Sequence, residues 1–343
     1  MSRGASLGGT AECTSRPARI RRLVEAVQAE RRLTPSSCKK LLAASEVTAE
    51  DLEAWADFDH PAVDSYGRRM VYDGGFFELM AMSWVDGDMA AIHDHGHTQW
   101  GAVKVLGPTE HAIFKISGGV LTTVERRRFA PGSVLAVSHE LIHQMGNVGQ
   151  EPYLTLHLYG CYERRGGVTG DARLYELDEN AVQITSGGAF YSLPESAVER
   201  RQPAPAADFP TTLRFKVELL RRLLRCHGSL EQKRFTSPRE ARIARELTGA
   251  ETWERARQEL AEKSAGEPRE LERYAAVLHQ EVHAAARLQR ELIAAGLVRS
   301  PLAGAGERLA ELLRTEDLES FAASYLELIG ETFSIDFPDA LAA

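Results

Sequence analysis

Two stretches of this 343-residue chain carry residue types that could hold a metal. In AIHDHGH, His93 and His95 stand two apart. On a strand that spacing sends both imidazoles to one face, with Ile92 and Asp94 on the other. A third candidate lies in FAPGSVLAVSHELIHQMGN, where Pro131-Gly132 makes a turn, a strand follows, and His143 precedes Asn147 by four residues. His97 follows Gly96 at a probable bend and is expected at the pocket rim. His139, four before His143, is expected to hydrogen-bond a ligand imidazole from behind, as metal-bound histidines usually require.

These stretches resemble the two cupin motifs, H-x-H in the first and P-G followed by His and then Asn in the second. The glutamate that usually follows H-x-H in that family is missing from GHTQWGAVKV, so the expected ligand set is His93, His95 and His143 alone. Such a set leaves about three positions open on an octahedral metal, room for a bidentate substrate and dioxygen. Without a ligand carboxylate the metal stays more positive, which favours a thiolate.

The stretch from Tyr66 to Tyr159 is similar to the thiol dioxygenases, cysteine dioxygenase in particular. Tyr66-Gly67-Arg68 resembles that family's Tyr-x-Arg, whose arginine grips the substrate carboxylate, and Thr155-x-His157-x-Tyr159 resembles its Ser-His-Tyr relay. The residue chemistry agrees. Arg68 offers a planar fork that fits a carboxylate bidentately. Thr155, His157 and Tyr159 alternate along YLTLHLYG and so project from one face, where hydroxyl, imidazole and phenol can form a hydrogen-bonded row. Mammalian-type members crosslink a cysteine near the first motif to the tyrosine. Here Trp100 or Gly101 occupies that region, so no such crosslink is expected, and Trp100 is placed beside the pocket.

The elements that must position these residues follow from periodicity. Ile20, Leu23, Val24 and Val27 recur at helix spacing, Thr34-Pro35 caps a second helix, and Thr48 with Asp51 caps a third stretch, DLEAWADF. Period two then takes over in FFELMAMSWV, TQWGAVKVL, EHAIFKIS, GVLTTVERRRF and YLTLHLYG, separated by glycine turns. The expected fold is a mainly β cupin, a jelly-roll or double-stranded β-helix barrel, with N-terminal helices and a C-terminal all-α region. Its boundaries are a disordered tail over 1–18, helices over 19–60, the metal-binding barrel over 61–195, a Pro- and Ala-rich linker over 196–210 and helices over 211–343. Within the last, His279 and His283 flank Glu281 in HQEVH, which is not the zinc-protease order, and read as solvated histidines on a charged face; Leu278, Val282, Ala285 and Leu288 read as packing.

Forty-one Lys and Arg against 49 Asp and Glu give a formal charge of −8, which argues against a nucleic-acid surface. The four cysteines form no C-x-x-C pair, and no signal peptide or membrane span is visible, so a cytoplasmic protein is expected. The resemblance implies Fe(II) and partners limited to a small thiol amino acid and dioxygen; three imidazoles also accept Ni(II) or another divalent transition metal, and the added C-terminal helices offer a surface for a homodimer. The leading function is oxidation of L-cysteine to cysteine sulfinate. Three others stand beside it: a rearranged product such as a decarboxylated sulfonamide, oxidation of 3-mercaptopropionate, and a non-catalytic metal- or thiol-binding regulatory cupin. The helical region has no counterpart in the family, which is what keeps the product open.

Overall fold

A computed structural model describes residues 16–298, apart from 31, 163–166, 192 and 265, together with 307, 308, 311 and 314. The tail expected over 1–18 therefore lies almost wholly outside the described residues, as does most of the chain after 298. Helices α1 (Ala18–Ala29) and α2 (Pro35–Ala44) are followed by a 3-10 helix, Glu50–Trp55, in the stretch expected as a third helix. Thr34 caps α2 as its sequence suggested, accepting from the Ser37 amide while Ser37 reaches back to the Thr34 amide.

Twelve strands follow: β1 (Gly67–Asp73), β2 (Phe77–Trp84), β3 (Trp100–Val105), β4 (Thr109–Ser117), β5 (Val120–Phe129), β6 (Val134–Val137), β7 (Ile142–Gly146), β8 (Tyr153–Gly160), β9 (Ala172–Glu176), β10 (Ala181–Thr185), β11 (Val198–Pro203) and β12 (Ala206–Ala207). One sheet runs β1-β2-β8-β3-β6; the other side of the barrel is built from β12-β5-β4-β7 and β11-β10-β9. This is the cupin jelly roll. Strand β8 shows how the alternation works. All eight of its residues are buried, because both faces are covered. Leu154, Leu156 and Leu158 join the cluster that α1 and α2 close from outside, whereas Thr155, His157 and Tyr159 take the opposite face, inside the barrel.

The stretch 196–210, expected as a linker, pairs instead as strands. β11 is an antiparallel edge strand on β10, β12 adds to β5, and Pro203 sits at the end of the exposed edge where its missing N–H costs no ladder bond. Helix α3 (Phe209–His227) then starts two residues earlier than expected, with the Asp208 carboxylate accepting from the Thr211 amide, and ends at Gly228 with φ 61°. After α4 (Ser229–Gln232), α5 (Pro238–Thr248) and α6 (Ala250–Ser264), helix α7 (Pro268–Ala294) returns along α3.

These helices cover the outer face of the second sheet. Ala112, Phe114 and Leu121 share one apolar cluster with Leu213, Leu220, Leu278, Val282, Ala285 and Leu288, so the α7 stripe is internal packing, as its sequence indicated. A buried ion network crosses the same seam. Arg126 donates to Glu281 (2.7 Å), Glu110 (3.0 Å) and Gln144 (3.2 Å), and Arg214 donates to Glu110 (2.6 Å) and Glu281 (3.3 Å). Burial alone would raise the Glu110 carboxyl, but Arg214 and Arg126 outweigh it and hold it below its ordinary range. Among the described residues no helix is long and apolar enough to cross a membrane.

Candidate metal centre

The H-x-H segment is not a regular strand. His93 makes isolated antiparallel bridges to His143 on one side and Leu174 on the other, so this short stretch joins β7 to β9 where a full strand would otherwise stand. The His93 amide donates to the His143 carbonyl (3.0 Å) and the His143 amide to the His93 carbonyl (2.9 Å). That reciprocal pair fixes the two imidazoles side by side from residues 50 positions apart. Gly96 then turns with φ 50°, a conformation glycine adopts without steric cost, and it does so directly against Gly170 and Ala172.

One ligand atom each from His93, His95 and His143 lies within 4.8 Å of the others. Nε2 of His93 and Nε2 of His143 are 3.1 Å apart. Two observations bear on whether these nitrogens suit a metal. The His93 Nδ1 stands 2.8 Å from the Ala91 carbonyl, which can only accept; Nδ1 must carry the hydrogen and Nε2 the lone pair. Both ring nitrogens of His95 are buried without a hydrogen-bond partner. A buried orphan nitrogen is costly unless something else satisfies it, so the donor set fits a divalent metal ion.

Electrostatics supports the same reading. Burial drives His93 down to about 4, and burial together with the neighbouring imidazoles puts His95 and His143 well below the ordinary histidine range. All three are neutral at physiological pH, the form that ligates. The wall opposite is polar in one row only. Trp84 Nε1 donates to Thr155 Oγ1 (2.9 Å), Thr155 Oγ1 is 2.7 Å from His157 Nε2, and His157 Nδ1 is 2.8 Å from the Tyr159 hydroxyl. Burial, with the Arg68 charge, presses His157 to about 3; burial, with Tyr66 beside it, pushes the Tyr159 phenol above its usual range despite Arg68.

Tyr159 and two of the histidines line one narrow cavity of about 30 Å³, shared with Tyr66, Arg68, Met80, Met82 and Asp94. Thr169, Ala172, Gly188 and Ala189 close its other side. Arg68, half-buried on β1, donates to Thr169 Oγ1 (3.3 Å), and the Tyr66 hydroxyl accepts from the Ala189 amide (2.9 Å).

Residues 9–162 match the family model of cysteine dioxygenase type I. The match spans H-x-H, His143 and the Thr155-His157-Tyr159 row, and stops before Thr169, Ala172, Gly188 and Ala189, which form the far wall. Solved structures similar to this chain include the cupin domain of Schizosaccharomyces pombe Cnp3, with 12% identity, a TM-score of 0.24 and coverage of 29% of this chain and 66% of that one. A conserved double-stranded β-helix protein of Klebsiella pneumoniae shows 16% identity, a TM-score of 0.25 and coverage of 32% and 85%. TT1209 of Thermus thermophilus shows 15% identity, a TM-score of 0.26 and coverage of 32% and 93%. The chain thus spans just under two thirds of the first of these.

Within the cysteine dioxygenase-like region, the structure brings His93, His95, Tyr66, Arg68 and Tyr159 around one cavity, with His143 completing the imidazole cluster and Thr155 and His157 lined up behind the phenol. It does not bring in three others. His139 is exposed and lies 3.9 Å from Glu140 on the surface, not behind His143. The partner of His143 Nδ1 is His111 Nε2, at 2.8 Å, a buried residue of β4 that sequence reading missed. Trp100 points the other way. It packs in the cluster under α1 and α2, tight against Gly160, because strand parity turns Trp100 and Ala102 outward and Gly101 and Val103 inward. A side chain at Gly101 would meet the Tyr159 ring at 2.7 Å. His97 is half-buried and faces Gly170 in the loop beside the cavity, outside its lining. Asp94, expected on the opposite face from the histidines, also lines the cavity, its carboxylate accepting from the Gly96 and Arg173 amides.

Proposed function

We propose that this protein oxidises the thiol of L-cysteine to the sulfinate with dioxygen, at an Fe(II) ion held by His93, His95 and His143. The observation that carries the reading is the joint presence, on one small cavity, of the His93 and His95 imidazoles, the Arg68 guanidinium and the buried Tyr159 phenol, with the third neutral imidazole, His143, clustered directly behind. Bound iron would supply the redox chemistry, taking the substrate thiolate and dioxygen into positions left open by a three-histidine set. Both oxygen atoms of O2 end on sulfur, so cysteine plus O2 gives cysteine sulfinic acid with no other reductant.

The chain's own residues do the rest. Arg68 turns its fork from Thr169 to the substrate carboxylate, fixing one end of a molecule whose thiol must reach the histidines. Met80 and Met82 line the space between with apolar surface and exclude water from the thiol. An indole N–H can only donate, so the polar row runs from Trp84 through Thr155 and His157 to Tyr159 and leaves the phenolic proton for the pocket. Held protonated by burial, Tyr159 donates that hydrogen bond to the sulfur or to the oxygen being added.

The decisive experiment is metal analysis of the purified protein, followed by mass spectrometry of the product from nitrogen-15 cysteine under oxygen-18. A gain of two labelled oxygens with carbon and nitrogen retained is expected. Loss of carbon with nitrogen moved to sulfur would replace the product, and an iron-loaded protein that consumes no oxygen with cysteine would end the proposal.

A further inference from the structure

On the outer face of the second sheet, against helix α7, lies a second cavity of about 450 Å³. Glu110, Arg126 and Arg214 form its floor, and Arg128, Arg287 and His283 stand around them. The floor is compensated. Arg126 and Arg214 are ion-paired with Glu110, Glu281 and Glu218 in the seam described above.

Two further cations are less fully met. The exposed guanidiniums of Arg128 and Arg287 make no hydrogen bond or ion pair with any described side chain and feel only the Glu110 carboxylate at longer range, yet both line this cavity and the adjoining one that opens toward Asn147 and Glu291. β5 parity turns Arg126 and Arg128 to the same face, and Arg287 comes down from the last turns of α7 to meet them. Arg127 also borders the cavity but differs: its guanidinium pairs with Glu125 (3.1 Å) and lies over the Phe129 ring. Burial and the charges of Arg128, Arg221 and Arg214 together depress the Arg287 guanidinium, outweighing the opposing pull of Glu110. His279 and His283, expected as solvated, are half-buried on the same wall with their Nε2 atoms 2.9 Å apart.

Gathering like charges in a concave seam is unfavourable unless a counter-charge completes it. We infer that this cavity binds a small phosphate-bearing metabolite, its dianionic phosphate group clamped between Arg128 and Arg287. Two guanidinium forks without a hydrogen-bonded partner among the described residues match a phosphate's charge and its several acceptor oxygens. The cavity is far larger than phosphate alone, which leaves space for the rest of a phosphomonoester over Ala284 and Gln280. Its concave shape and the chain's formal charge of −8 speak against a nucleic-acid backbone as the occupant. The site is separate from the three-histidine centre and does not depend on the reaction proposed there.

The test is isothermal titration of the full chain with inorganic phosphate and with O-phosphoserine, chloride holding the ionic strength constant, alongside R128Q/R287Q. R200Q, which alters an exposed arginine paired with Asp171 elsewhere on the surface, is the control. Saturable binding is expected, tighter for the ester. The double variant should lose at least tenfold in affinity and R200Q should lose none. Should the double variant misfold by circular dichroism, R287Q alone carries the comparison, with a smaller loss of several-fold. Absence of saturable binding to the wild type, or equal affinity in wild type and variant, overturns the assignment. So would an equal response to succinate, which would make the site a general anion patch.

Discussion

Two buried polar clusters lie on opposite faces of β4, and they satisfy their atoms in opposite ways. In the helix–sheet seam, Arg126 and Arg214 are met by Glu110, Glu218 and Glu281 at 2.5 to 3.3 Å, acid against base. Inside the barrel the groups are neutral imidazoles, and His95 has neither nitrogen engaged. The first arrangement pairs acid with base and serves to dock the helices. The second leaves lone pairs converging on one point, which is what a metal site requires. Burial of polar groups is therefore not itself the signal of function; neutral donors converging on one point are.

That contrast can be broken by substitution. The largest effect is expected from His95→Ala: metal bound by elemental analysis and cysteine oxidation should both fall to background. The metal-stripped variant should lose only about 1–3 kcal/mol relative to metal-stripped wild type in urea, the cost of the space the buried imidazole leaves. If His95→Ala instead unfolds the protein while its metal content persists, the barrel cluster is structural. Glu281→Ala should do the reverse, costing about 3–5 kcal/mol because it strands two buried guanidiniums. Its oxygen consumption per folded molecule should remain near wild type.

Arg68→Lys sharpens the comparison within the barrel. Replacing the fork by a point charge should raise the KM for cysteine by roughly 10- to 100-fold, worth about 1.5–3 kcal/mol, with a much smaller change in kcat. Equal effects on cysteine and on cysteamine, which lacks the carboxylate, would remove Arg68 from substrate binding.

The smallest effect, taken per histidine and per pH unit, is a pH slope. His157 and His111 are buried neutral, pushed to about 3 and about 4, while in the unfolded chain they titrate near 6.5. Between those values the unfolded state binds more protons, so stability is full above about pH 6.5 and declines as pH falls toward 4. The slope should be roughly 1.4 kcal/mol per pH unit for each histidine. Urea melts of the metal-stripped protein at pH 7, 6 and 5 read it directly, and a flat profile would show that these imidazoles are hydrated.

Much of this was legible in the sequence because it is written in local periods. Alternation in YLTLHLYG is enough to put Thr155, His157 and Tyr159 on one face and three leucines on the other, and the structure keeps that order. The same parity, applied to WGAVKV, would have turned Trp100 away from the pocket and Gly101 toward Tyr159. His139 went astray for a related reason: four residues of separation says nothing about packing in a turn, and the residue that backs His143 comes from β4, 32 positions upstream.

What the sequence by itself determined is the inventory: three histidines without the glutamate that usually follows H-x-H, an arginine fork, a hydroxyl–imidazole–phenol row, and the alternation that makes strands of most of the segments carrying them. Only the tertiary structure decided which nitrogens are left without partners, that His93 and His143 meet through a reciprocal backbone bridge, and that residues 167–189 supply the far wall. It alone placed Glu281 of α7 beside Arg126 of β5, 155 positions away. The physical reason is range. A side chain's facing follows from its own backbone period, whereas desolvation and pairing depend on whatever distant segment folds against it.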